Sequence, residues 1–172
     1  MLKGSSVLKI ILEKYISDEK KRDGIKHNID LYETQIENRT RLQDISTLQG
    51  VNPKALDDCI DFIEKADKML GWLEQLRLYV KIKSDTINKK YDLEKIKVEK
   101  SVEFLEAVIE SKTKGEKEEA KKKAVKEQLI NLELEKNDIK TDFDFVDTFI
   151  KDAERTRERV YAYYQSVKKL VE

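Results

Sequence analysis

The apolar positions of this chain fall into three stripes, and each has the spacing of a helix. The last stripe is the most regular. Val125, Leu129, Leu132, Lys136, Ile139, Phe143, Val146, Ile150, Ala153, Arg157, Val160, Tyr164, Val167 and Val171 alternate in steps of four and three, with only Lys136 and Arg157 charged. A sustained heptad with one apolar stripe is the mark of a coiled-coil seam. Its 3.5-residue period predicts a left-handed supercoil. A second stripe reads Leu56, Ile60, Ile63, Leu70, Leu73, Leu76 and Val80, then Ile87, Tyr91, Val98, Val102, Leu105 and Ile109. Ser84-Asp85-Thr86 interrupts it, but the rhythm survives, so one helix is expected to pass through. The first stripe holds Leu8, Ile11 and Tyr15, then Ile25, Ile29, Tyr32 and Ile36, with Leu42 and Ile45 near its end. Asp18 and Arg22 occupy its middle and Gly24 lies beside them, which predicts a loose spot or a break over 18–24.

Two boundaries separate the stripes. Gly50 suits a helix C-terminus, Asn52 an N-cap, and Pro53 the first helical position, where a missing N–H costs nothing. The second boundary lies in Glu110–Leu129, ESKTKGEKEEAKKKAVKEQL. Apolar seam positions vanish between Ile109 and Ala124, and Gly115 is the only glycine after Gly71. A reversal is expected near 112–116, followed by a helix with Glu116, Glu118 and Glu119 in its first turns. The predicted fold is all-α: a long antiparallel helical hairpin over 51–172, with an additional N-terminal helical segment over 1–50, elongated in shape. Two seams of nearly equal length can cover one another, and a narrow stripe on so long a helix needs a partner throughout.

Composition agrees with long helices. Charged residues make up 41% of the 172, against five glycines and one proline. Mean hydropathy is −0.69. Thirty-five basic residues balance thirty-five acidic ones. That balance argues against a general polyanion binder and removes the self-repulsion that keeps copies apart, so a homo-oligomer is expected. The single cysteine, Cys59, excludes an intrachain disulfide, and a cytoplasmic location follows as the expectation. Neither a signal peptide nor a membrane span is read.

Chemistry is sparse. His27 is the only histidine, and Cys59 lies among Asp57, Asp58 and Asp61, which would raise a thiol pKa. Phosphate-cradling loops and zinc spacings are missing, as are the Glu-x-x-His repeats of a di-metal bundle. The chain is expected not to be an enzyme, and to need no cofactor, metal or small-molecule substrate.

Three features rise above background. The first is a lysine cluster that includes Lys114, Lys117, Lys121, Lys122, Lys123 and Lys126. From Ser111 to Gln128 seven lysines stand against four glutamates, which fits either a solvated tip or a phosphate contact. The second is the crowding of Arg155, Arg159 and Tyr163 with Tyr161, Lys168 and the seam residue Tyr164. Interleaved cations and aromatics suit single-stranded nucleic acid and protein interfaces alike. The third is Trp72, where Gly71 would permit another helix to approach. Leu132, Ile139, Phe143, Val146, Ile150, Val160, Tyr164 and Val167 are expected to form the core or oligomer seam.

From about Lys81 onward the chain resembles the UvsY-type recombination mediators of tailed phages. The likeness lies in KKYDLEKIKVEKSVEFLEAVIESKTKG, its lysine-rich interruption, and LEKNDIKTDFDFVDTFIKDAERTRERVYAYYQSVKKL with its basic, aromatic end. It implies a small, mostly helical, non-enzymatic protein that oligomerises, binds single-stranded DNA and helps load a recombinase. The expected function is therefore an oligomeric accessory protein binding single-stranded DNA and a protein partner in recombination or replication. The alternative is a scaffolding or inhibitory coiled coil acting through protein contacts alone.

Overall fold

The structure is a computed structural model that describes residues 4–46, 53–110 and 113–171. Every regular element among them is helical: α1 (Gly4–Tyr15), α2 (Glu19–Ser46), α3 (Pro53–Glu99), α4 (Val102–Glu110) and α5 (Lys114–Val171). The long helices α3 and α5 pack antiparallel, with the shorter helices preceding them. Pro53 opens α3 as its fixed φ favours, and α3 runs unbroken past 84–86, where the Thr86 hydroxyl donates to the Ile82 carbonyl at 2.8 Å. The turn expected at Gly50–Asn52 lies outside the described residues.

The N-terminal segment is two helices rather than one. Ile16, Ser17 and Asp18 separate them. The Asp18 carboxylate accepts from the Lys21 N–H at 3.1 Å and caps α2, while Arg22 donates to the Ile16 carbonyl at 3.3 Å. The two charges that interrupt the stripe thus satisfy backbone groups that the break would otherwise leave open. Gly24 sits inside α2. Lys9 pairs with Asp30 and Glu13 with Lys26, so α2 runs back along α1.

The chain forms two units, Met1–Tyr79 with Asp144–Glu172, and Val80–Phe143. In the first, α1 and α2 join the start of α3 and the end of α5. Leu8, Leu12, Ile25 and Ile29 are fully buried there with Met69, Leu73 and Val146. Tyr32 links three helices, its ring centroid 5.7 Å from Phe62 and 6.5 Å from Phe149. In the second unit the rest of α3 runs against the start of α5, burying Val80, Ile87, Val98, Leu129 and Ile139.

The stripe on α5 matches its expected register throughout the positions whose side chains are described. None from Val125 to Val167 is exposed, and the expected seam residues Ile139, Val146, Ile150, Val160 and Val167 are buried, with Leu132, Phe143 and Tyr164 half-buried. These residues are consumed within the chain. The stripe on α3 differs from its expected course at the N-terminal end. Cys59, Phe62, Ala66 and Met69 are buried there, whereas Ile60 is exposed. The buried side of α3 runs here through Cys59 and Phe62, and Phe62 is the residue that reaches Tyr32 on α2. Leu105 and Ile109 are likewise exposed rather than in the seam. Here α3 stops: Lys100 and Ser101 donate to Lys97 and Val98 in i to i−3 bonds, and α4 begins afresh from the Ser101 carbonyl. Gly71 does not mark a close approach, since an added Cβ would meet nothing within 4 Å.

Two stability measurements check this packing. In urea titrations Leu73→Ala is expected to cost about 2–5 kcal/mol, against roughly 0.5 kcal/mol or less for Ile60→Ala. Equal losses would restore the face read from sequence. Gly71→Ala, entering open space in a helix, is expected to stabilise by about 1 kcal/mol, and a loss would reveal a neighbour at that position.

Candidate contact surfaces on the last helix

All nine polar residues expected to make contacts lie on α5, and they fall in different units. Lys114, Lys117, Lys121, Lys122, Lys123 and Lys126 belong to the second unit; Arg155, Arg159 and Tyr163 belong to the first.

The lysine end of α5 starts from a capping box. The Glu116 N–H donates to the Thr113 hydroxyl at 3.2 Å, and the Thr113 N–H donates to the Glu116 carboxylate at 2.9 Å. Thr113-x-x-Glu116 is visible in the sequence, and it sets the helix start before Gly115. The glycine is therefore inside the first turn of α5. Lys112 lies outside the described residues.

Five of the six lysines are exposed and Lys121 is half-buried. Lys121 pairs with Glu118 at 3.7 Å and Lys123 with Glu127 at 3.9 Å. The helical period then divides the cluster. At about 100° per residue, Lys114, Lys117 and Lys121 share one face, while Lys122 and Lys126 lie roughly 130° round from it. Glu118 projects between the two sets on the same geometry. An extended polyanion laid on either face would meet a carboxylate, so the excess of lysines is not a continuous basic surface. Net charge along the segment hides this division.

The second set is more coherent. Arg155, Arg159 and Tyr163 step by four along one exposed face, spanning roughly 80°. Arg155 approaches Asp152 at 3.4 Å. Arg159 makes no ion pair among the described residues. Tyr163 is 38% exposed. Tyr161 is already engaged: its ring stacks on Tyr164 at 6.4 Å and Arg157 lies over it at 5.7 Å.

The two charged intruders in the α5 seam find partners on α3. Arg157 donates twice to Asp67, at 2.9 and 3.2 Å, which strengthens its hold on its proton. Lys136 lies 4.7 Å over the Tyr91 ring. A third cross-helix contact joins Arg77 to Asp147 at 2.9 Å. Stepping back ten residues on α3, from Arg77 to Asp67, matches stepping forward ten on α5, from Asp147 to Arg157. These pairs fix the antiparallel register, and nothing in the local sequence singles them out. Asp147 also accepts from Lys151 at 2.6 Å, and its two cationic partners, Lys151 first and then Arg77, hold its carboxyl below the ordinary range.

The chemistry-bearing residues read from sequence do not gather. Cys59 is buried, and burial pushes its thiol up, with Asp58 adding to the shift. His27 is exposed. Among the described residues no group of three histidine, cysteine or carboxylate side chains is placed to hold a metal ion, and no helix is long and apolar enough to cross a membrane. Comparison with protein-family models, curated proteins and solved structures yields no match.

The sign of the Asp147 shift sets a pH dependence. A carboxyl held below its unfolded pKa contributes stability above that value, and the contribution is lost as pH falls through the lowered one. The stability difference between the wild type and Asp147→Asn is expected to be constant from neutral pH to about 5 and to close below about 4. Denaturant midpoints across that range read it directly. A difference that persists unchanged in acid would separate Asp147 from the ion pairs.

Proposed function

We propose that this chain is a non-enzymatic helical accessory protein that works by docking protein partners on the outer faces of its hairpin. The observation that carries the reading is the set of aliphatic side chains left in solvent on the second unit. Leu105 is 49% exposed, Ile109 78%, Ile130 46% and Leu134 61%. Scattered single aliphatics need no explanation, but i, i+4 pairs on successive helices are the form in which one helix offers anchors to another. The balanced charge and the carboxylates among the lysines support the same reading, since both work against a polyanion.

A second reading rests on Arg155, Arg159 and Tyr163. Two cations and an aromatic on one open face suit single-stranded DNA, with bases stacking on the tyrosine. The resemblance over residues 81–172 to recombination mediators adds weight to it, with a role in recombination or replication. The lysines at the start of α5 add little, because they divide between two faces.

Fluorescence anisotropy with a labelled single-stranded oligonucleotide separates the two. The protein-docking reading expects no rise up to about 10 µM protein in low salt. A rise that falls with salt by about 0.7 log units per phosphate contact, and that is lost in Arg155→Gln/Arg159→Gln, would move the function to DNA.

A further inference from the structure

A stripe on α3, facing away from its intrachain partner, has a composition that complements itself. In the second unit the α5-facing side of α3 is marked by buried Ile87 and Val98 and by Tyr91 beneath Lys136. On the opposite side Ile82, Asp85, Lys89, Leu93 and Ile96 follow one another in steps of three and four. They occupy an arc of roughly 80° at about 100° per residue. All five are exposed, the aliphatics at 54% for Ile82, 61% for Leu93 and 47% for Ile96. A helix of a two-helix hairpin therefore carries a second seam with nothing from its own chain upon it among the described residues.

The order of residue types in that stripe says what fits it. Over its first four positions, Ile82, Asp85, Lys89 and Leu93, it reads aliphatic, acid, base, aliphatic. Read from the opposite end, with charges matched to their complements, the pattern is unchanged. We propose that this face of α3 pairs antiparallel with the same face of a second copy of the chain. A two-fold axis level with Ile87 sets Asp85 against Lys89 of the other copy and brings Ile82 within one residue of its Leu93. The symmetry repeats both contacts, giving two ion pairs flanked by two aliphatic pairs. A parallel, in-register pairing would instead oppose Asp85 to Asp85 and Lys89 to Lys89, which is repulsive at the centre.

The charges are available for this. Asp85 and Lys89 stand four apart in the order that favours an ion pair on one helix, yet no such bond forms, and neither makes an ion pair with any described residue. Elsewhere on α3 the same kinds of side chain are committed, Asp67 to Arg157 and Arg77 to Asp147. The pairing uses a face different from those on α4 and α5 considered above, and it holds whether α5 takes a protein or DNA.

Sedimentation equilibrium with charge-reversal variants tests the pairing. Wild type is expected to associate to a dimer within the range up to about 100 µM. Asp85→Lys alone brings lysine against lysine at both symmetric contacts, and Lys89→Asp alone brings carboxylate against carboxylate. Each is expected to weaken dimerisation about tenfold or more. The double variant Asp85→Lys/Lys89→Asp restores complementarity and is expected to return the dimer. That rescue belongs to the antiparallel arrangement alone, because in a parallel pair a single reversal leaves like charges opposed. Every substituted side chain is exposed, and unchanged helical circular dichroism confirms that folding is intact. A monomer throughout the range, or a dimer indifferent to the single reversals, overturns the proposal.

Discussion

The apolar stripe of α5 has to be covered, and the rest of the chain is arranged to cover it. A helix of 58 residues with one narrow hydrophobic seam has no stable form in water by itself. In the first unit the seam is covered by α3 together with the α1–α2 pair, with Phe149 reaching beside it to the Tyr32 ring. In the second neither α1 nor α2 is present, and the difference shows in the side chains. Four helices share a core of fully buried leucine, isoleucine and methionine, while the second unit, which lacks α1 and α2, leaves more of its aliphatics in solvent. The outer faces of the hairpin are the ones left open to a partner, because the inner ones are spent.

Polar residues set the alignment that the apolar seam by itself leaves loose. A repeating heptad can slide by seven residues and still bury leucine on isoleucine. Arg157 on Asp67, Arg77 on Asp147 and Lys136 over Tyr91 do not survive such a slide. None of these contacts is deeply buried, so each contributes modestly to stability, and their collective effect is to select one register. The two charges that look like flaws in the α5 stripe, Lys136 and Arg157, are thus two of the groups that specify it.

How much of this was legible in the sequence depended on whether the signal was local. The α5 seam repeats without interruption, so its phase could be read from any stretch of it. Pro53 could be placed at a helix start because its missing N–H and fixed φ permit little else. The passage of α3 through 84–86 followed from an unbroken rhythm. The reversal between α1 and α2 was only half visible. Asp18 and Arg22 announce a disturbance, but their roles as cap and carbonyl donor exist only once the chain turns. The start of α3 was read one face round because Ile60 outranks Cys59 and Ala66 in hydrophobicity, whereas the face was chosen by Phe62 and its contact with Tyr32. The lysine cluster was legible as a count but not as a surface, since a sum of charges carries no angle. Arg155, Arg159 and Tyr163 were legible as a face because their spacing of four is itself angular.

The interleaved connectivity of the first unit has a consequence for synthesis on the ribosome. Its two portions, Met1–Tyr79 and Asp144–Glu172, are separated by the 64 residues Val80–Phe143. At about 5–20 residues per second, translation of the intervening stretch takes roughly 3–13 seconds. Throughout that interval the nascent α1, α2 and early α3 have lost their last helix to a stretch of message not yet read. Their shared core, with Met69 and Leu73 at its centre, stays open until the C-terminal helix emerges. The intervening hairpin has its helical segments close together in sequence and can close first.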